Sequence, residues 1–219
     1  MSAGADEGPR RVGRPRADRL RRQSGRPPRE ELLCAAAELF TDLGYAATTT
    51  RAVAERAGMR QATMYHHFGG KEDLLAELLE STVAPSLALA RELLADTARP
   101  AARRLWELCR SDVLLLCGGP HHLGALYLLP EPAGARFARF HHMRGELRDA
   151  YRELLAGTRA GAELAGDGAG LALRNDLVFG LIEGVMLIHR AAPARPVHVF
   201  AEAAADAALR IAGVLPDAA

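Results

Sequence analysis

Lysine is nearly absent from this chain: of its 28 basic residues only Lys71 is a lysine, and the rest are arginine. The planar arginine fork suits bidentate contacts to phosphates and base edges, although genome composition accounts for the same bias more simply. Aromatic residues make up only 5% of the sequence. Cysteine is scarce too, and Cys34, Cys109 and Cys117 are an odd set without CxxC spacing. That excludes a disulfide framework and a four-thiolate zinc site, and the three are expected as small buried hydrophobes. No apolar run approaches the roughly 18 residues of a membrane span. No apolar stretch follows the first charges either, so neither a secretory signal nor a membrane association is expected, and the location expected is cytoplasmic.

What is present is globular: 219 residues, 49% hydrophobic and 25% charged, enough to bury an ordinary core without covalent staples. The formal net charge of +1 hides an asymmetry, because residues 10–29 hold nine arginines against one carboxylate, Asp18. This Arg, Pro and Gly-rich stretch has too little apolar surface to offset its ordering entropy, and reads as a flexible basic arm facing an anionic partner. From Glu30 the pattern changes. Leu32, Ala36, Leu39, Phe40 and Leu43 recur at the three-and-four spacing of one helical face, and Gly44 follows as a C-cap. Thr48-Thr49-Thr50 then supplies the capping signal for a short helix from Arg51 to Ala57, with Val53, Ala54 and Ala57 inward. Gly58, Met59 and Arg60 separate it from a second short helix, Gln61 to Phe68, whose Met64 and Phe68 share a face. Two short helices joined by such a turn form a helix-turn-helix. A long amphipathic helix starts at Lys71 and runs past Val83, with Pro85 expected to end or kink it.

Further apolar clusters at 105–117, 123–129, 137–155, 171–188 and 197–214 are separated by breaks at 118–120, 130–132, 166–170 and 192–196, where Gly and Pro gather. No alternating strand pattern competes, and the fold class expected is all-α.

Leu33-Cys-Ala-Ala-Ala-Glu-Leu-Phe40, Gly44-Tyr45, Thr48-Thr49, Ala57-Gly58, Thr63-Met-Tyr65-His-His-Phe68 and Lys71-Glu-Asp-Leu74 occur in order and at set spacings. This resembles the DNA-binding domain of the TetR family of bacterial transcriptional regulators over roughly residues 28 to 80. The resemblance implies a three-helix DNA-binding domain followed by a helical ligand-binding and dimerisation domain. The expected divisions are the arm over 1–27, the helix-turn-helix domain over 28–72 and the regulatory domain over 73–219.

The residues themselves agree with DNA as partner. On the second short helix, Gln61 can pair with adenine, Ala62 and the Thr63 methyl can meet a thymine methyl, and Tyr65 can reach a phosphate or a base. Thr49 and Thr50 open the preceding helix, whose free N–H groups favour a phosphate, with Arg51 and Arg60 adding charge. His66, His67 and Lys71 are further candidates, the last two as backbone contacts. Packing and solvated surface are the competing accounts of Tyr65 and the histidines, and capping is that of Thr49. Arg14 and Arg16 of the arm could enter a narrow A·T-rich minor groove, although a solvated tail adding nonspecific affinity is the simpler account.

The resemblance further implies a homodimer built from its last two helices, here Asp176 to His189 and Phe200 to Val214. Gly180 and Gly184 lie among Leu177, Leu181, Val185 and Ile188, and the alanines from Ala201 to Ala208 allow close helix approach, although an intramolecular core would show the same alanines. A small-molecule effector is implied without its identity. Candidate pocket residues include the aromatic Trp106, Tyr127, Phe137 and Phe140, together with Cys109, Leu116, His141, Met143 and Met186. Glu183 joins them, because a lone carboxylate on an apolar helix needs water, an arginine or a ligand cation. The His121-His122 and His141-His142 pairs point apart on a helix, and neither a metal nor any other cofactor is expected. No catalytic constellation or nucleotide fingerprint appears, so an enzyme is not expected. A ligand-released repressor on a pseudo-palindromic operator is the leading expectation. An activator with the same DNA-binding domain, or a small-molecule or metal sensor or scavenger that binds DNA weakly, stands as the alternative.

Overall fold

A computed structural model of the chain describes residues 25–118, 126, 134–191 and 194–214. Among these residues there are nine α-helices, one 3-10 turn and no strand. Helix α1 (Pro28–Asp42) begins on a proline whose missing N–H costs nothing at that position, with Glu30 and Glu31 in the first turn where the helix dipole favours carboxylates. It buries Leu32, Ala35, Ala36, Leu39 and Phe40. Leu43, expected on that face, is 60% exposed. The helix has already ended at Asp42, and Gly44 at φ +86° turns the chain away.

Helix α2 (Thr50–Arg56) is capped by Thr49, whose hydroxyl accepts from the Ala52 N–H at 3.1 Å. The next turn uses Gly58 at φ +67°, with the Met59 N–H bonded to the Ala54 carbonyl at 2.8 Å. Helix α3 (Gln61–His67) follows, and Phe68 closes it with its N–H on the Met64 carbonyl. Met64 and Phe68 are both buried, and they seat α3 in the core of the first three helices. The Arg29 guanidinium of α1 lies 4.8 Å from the Phe68 ring centroid and is bidentately paired with Glu77.

Helix α4 (Lys71–Ala95) runs for 25 residues, about 37 Å at the α-helical rise. Pro85 lies inside it and does not end it. The ring is on the exposed side, where losing one backbone hydrogen bond to the Ser81 carbonyl costs least. Beyond α4 come α5 (Ala101–Gly118), the turn Ala135–Phe137, α6 (Ala138–Ala156), α7 (Arg159–Ala162), α8 (Gly168–Ala191) and α9 (Val197–Ile211). Helix α5 is central and packs against α4, α6, α8 and α9, while α4 also packs along α6.

Two features differ from the sequence expectation. The expected break at 166–170 is already helical from Gly168, because the Asp167 carboxylate accepts from the Gly170 N–H at 2.9 Å and caps α8. The short α7 is an addition, capped by Thr158, whose hydroxyl accepts from the Gly161 N–H at 3.0 Å. The helix expected over 123–129 lies outside the described residues except for Leu126, which is buried.

Candidate nucleic-acid interface and effector pocket

Burying Met64 and Phe68 fixes the rotation of α3, so that Gln61, Ala62, Tyr65, His66 and His67 are all exposed and Thr63 is half-buried. The outward groups are already ordered. Gln61 Nε2 donates to Thr50 Oγ1 at 3.1 Å, and the same hydroxyl lies 3.2 Å from the Tyr65 hydroxyl. Thr50 thus joins the start of α2 to both ends of the presented face of α3. Thr49 accepts one hydrogen bond as cap and keeps a hydroxyl proton to donate. Arg51 is paired with Glu55 at 3.0 Å on an exposed surface, where such a pair is weak and readily exchanged for a phosphate. Arg60 is exposed beside the start of α3.

Lys71 is placed differently from a free phosphate ligand. Its ammonium donates to the Tyr45 carbonyl at 2.8 Å and stands 4.2 Å from the Tyr45 ring centroid. Tyr45 in turn packs edge-on against Phe40 at 5.1 Å, and burial together with the nearby Glu72 charge raises its phenol above the usual range. Thr48, which the sequence offered only as part of a capping run, is buried with its hydroxyl 3.0 Å from the Leu39 carbonyl and 2.9 Å from the Gly44 carbonyl. It fastens the α1–α2 loop. Arg14 and Arg16 lie outside the described residues.

The candidate pocket residues are scattered over several environments. Leu116 and Glu183 line a small space of about 20 Å³, partly open to solvent, between α4, α5, α6 and α8. Glu183 meets the Arg144 guanidinium in a bidentate pair at 2.5 Å for each bond, so the arginine partner anticipated for it is present. Cys109, Phe137, Phe140 and Met186 are buried in the core, with His141 and Met143 half-buried. Trp106 lies elsewhere: its indole N–H donates to Asp206 of α9 at 2.8 Å, with Arg103 and Arg110 near its ring. Tyr127, His121 and His122 fall outside the described residues. Among the described residues no three His, Cys, Asp or Glu side chains come together as metal ligands.

The same space is lined by polar groups that the sequence reading did not select: Thr82, Ser86, Asp112 and Arg144. Asp112 is only 3% exposed, and the Tyr151 phenol donates to its Oδ2 at 2.7 Å. Burial pushes the Asp112 carboxyl up to about 6, against hydrogen bonds from Ser86 and Tyr151 that favour its ionised form, and the Glu183 charge raises it further. Burial raises the Tyr151 phenol and the Cys109 thiol well above their ordinary values, and the Asp112 charge adds to both. The signal for Asp112 was available, since it breaks the apolar series of Leu105, Leu108, Cys109 and Leu116 as Glu183 breaks that of α8.

The last two long helices expose a second apolar surface. Leu173, Leu177, Leu187 and Ile188 of α8 are each about half exposed or more, at 61%, 52%, 57% and 49%, and Val199 and Ile211 of α9 lie outward too. Gly180 and Gly184 lie on the same stripe, where a Cβ would meet nothing within 4 Å. Val185, anticipated beside Ile188, instead faces the core, and Ala201, Ala204, Ala205 and Ala208 are buried within the protomer as α9 packs closely on α5.

Over residues 32–78 the chain matches the family described as bacterial regulatory proteins, tetR family. The crystal structure of Mycobacterium smegmatis AmtR is 43% identical, covers 90% of this chain and 91% of that one, and superposes with a TM-score of 0.76. The HTH-type transcriptional repressor KstR2 of Mycobacterium tuberculosis is 40% identical over 75 residues, 34% of this chain. The HTH-type transcriptional activator FasR of Mycolicibacterium smegmatis is 36% identical over 80 residues, 35% of this chain. The chain spans 38% and 36% of the lengths of these two relatives.

Proposed function

The chain belongs to the TetR family of bacterial regulatory proteins, and from that premise we propose that it is a homodimeric, ligand-responsive transcriptional repressor that reads its operator with α3. The observation that carries this reading is the exposed face of α3, on which Gln61, Ala62 and Tyr65 stand outward and Gln61 and Tyr65 are held by the Thr50 hydroxyl. An ordered amide, methyl and phenol of this kind suit base edges in a major groove, while Thr49, Arg51, Arg60 and the histidines suit the phosphates that set register. The arm residues Arg14 and Arg16 add charge of the right sign.

Dimerisation accounts for the exposed stripe of Leu173, Leu177, Leu187 and Ile188, since apolar surface of this extent is rarely left to water. A two-fold dimer needs a pseudo-palindromic operator with half-sites roughly 34 Å apart or a multiple of it. Ligand response is supported by the path of α4. One helix lines the pocket with Thr82, Val83 and Ser86 and opens at Lys71 against the Tyr45 loop, about 16 Å away along its axis. A ligand that shifts α4 therefore moves the base of the helix-turn-helix, and the spacing of the two reading helices follows. The similarity to FasR supports the activator alternative, whose sign depends on operator position relative to the promoter.

The test is a titration of the purified protein against the DNA immediately upstream of its own gene at two salt concentrations. Tight binding at one pseudo-palindromic site, far above random DNA and steeply salt-dependent, is the expected result. Weak and equal binding to every fragment overturns the operator assignment.

A further inference from the structure

One edge of α4 carries three carboxylates, Asp73, Glu77 and Glu80, at the four-and-three spacing that stacks them along about 10 Å of a single helical face. Arginines from two different parts of the chain meet them. Arg29 of α1 pairs bidentately with the central Glu77 and lies over the ring of Phe68, the residue that closes α3. Arg136, in the turn Ala135–Phe137, reaches Asp73 at 2.7 Å, and Arg139, in the first turn of α6, reaches Glu80 at 3.3 Å. Phe137, between them in sequence, is buried where this turn packs on α4. Asp73 divides its two oxygens. Oδ1 takes the Arg136 guanidinium, and Oδ2 accepts at 2.7 Å from the backbone N–H of Gly69, in the turn between α3 and α4. A single carboxylate thus touches the end of the reading helix on one side and the regulatory helices on the other.

We propose that Arg136 is a positioning residue for operator binding, which through Asp73 holds the turn behind α3 at a fixed angle to the regulatory helices. Exposed ion pairs contribute little to stability, and the Arg136 and Arg139 side chains are 58% and 76% exposed. Their effect is on geometry instead. A two-fold dimer engages both half-sites at once only while its two reading helices keep their separation, and a head free to rock about α4 spends part of its time at other separations. A fixed head therefore raises the affinity for the whole operator without adding a contact to DNA. Arg139 with Glu80 braces the same joint two turns further along α4, and Phe137 gives it an apolar seat. The assignment rests on the operator-reading dimer proposed above.

Arg136→Gln tests it in anisotropy titrations with three duplexes: the operator located upstream of the gene, the same duplex with one half-site scrambled, and the operator lengthened by one base pair at its centre. The variant is expected to lose at least fivefold on the full operator, to stay within twofold of the wild type on the single half-site, and to discriminate less against the lengthened site. Its melting temperature should stay within about 2 °C of the wild type, because the pair is exposed. Arg136→Lys keeps the charge and should recover part of the loss. Equal losses on the full operator and the half-site would make Arg136 a direct DNA ligand and overturn the proposal, and so would unchanged binding to both. Spin labels at His66→Cys on α3 and Arg152→Cys on α6, both exposed sites, read the head angle without DNA. Cys34→Ala removes the half-buried thiol, Cys109 and Cys117 are buried, and dilution with unlabelled chain isolates the distance within one protomer. The distance distribution should broaden in Arg136→Gln, and an unchanged distribution overturns the joint. A wild-type chain that prefers none of the duplexes overturns the operator reading instead, and the label distances then decide the joint on their own.

Discussion

The ammonium of Lys71, at the first position of α4, donates to the Tyr45 carbonyl at 2.8 Å across the loop that follows α1. It spans 26 residues of sequence and lies over the Tyr45 ring as well, so one side chain clamps the long helix to the helix-turn-helix. The relationship changes what Lys71 is expected to do on DNA.

Replacing Lys71 by Met keeps the aliphatic stem and removes the charge. As a clamp, it should lower the affinity for every DNA sequence alike, and the melting temperature should fall by a few degrees, as expected for a loss of roughly 1 kcal/mol. The slope of log affinity against log salt should stay as in the wild type, because no phosphate contact is lost. A slope reduced by about one unit would instead restore Lys71 as a phosphate ligand.

Gln61 and Thr50 form a second pair with a distinct prediction. Gln61→Ala should cost about 1–3 kcal/mol on the operator and little on random DNA, because it removes a base-edge contact. Thr50→Val keeps the shape of the hub and frees both the Gln61 amide and the Tyr65 phenol, which it now holds. That variant should show a smaller loss of specificity in the same direction. Competition binding with operator and scrambled duplexes measures both. An equal loss on the two duplexes for Gln61→Ala would remove Gln61 from base reading.

The helix-turn-helix was legible because its determinants are local. Thr49 caps three residues away, Gly58 turns within one step, and Met64 and Phe68 are four apart, so spacing alone orients α3. Leu43 misled because the three-and-four spacing continued past the point where the α1 backbone ended. The pocket was only half legible for the opposite reason. Glu183 stood out within its helix, but Ser86, Asp112, Arg144 and Tyr151 meet from three helices dozens of residues apart. Nothing in a one-dimensional pattern distinguishes a tyrosine that positions a carboxylate from one that fills a core.

The α8 stripe predicts an assembly defect that leaves the protomer intact. Gly180 is exposed, and a Cβ there meets nothing within 4 Å, so Gly180→Arg fits the isolated protomer and even gains helix propensity. Across a two-fold contact the same side chain would meet the partner helix. Sedimentation should show the variant as a monomer with wild-type helicity, and its operator affinity should fall at least tenfold as the two half-sites become independent. A dimeric Gly180→Arg variant would place the interface elsewhere.

Asp112 also predicts how stability depends on pH. Its carboxyl is raised to about 6 in the folded chain, while an unfolded aspartate titrates near 3.8, so the native state holds the proton more tightly. The stabilising contribution of that proton is complete below about pH 4 and is lost as pH rises through 6. A shift of about two units corresponds to roughly 3 kcal/mol removed by neutral pH, an order-of-magnitude figure for this one group. Asp112→Asn keeps an acceptor for the Tyr151 phenol and does not ionise. The variant should therefore gain stability relative to the wild type between pH 5 and pH 8, by about half of that figure because the other half is already lost below pH 5, in paired denaturant titrations. A difference between variant and wild type that is flat across this range would mean that the buried carboxylate already has a counter-charge in the folded chain and is ionised there at every pH tested.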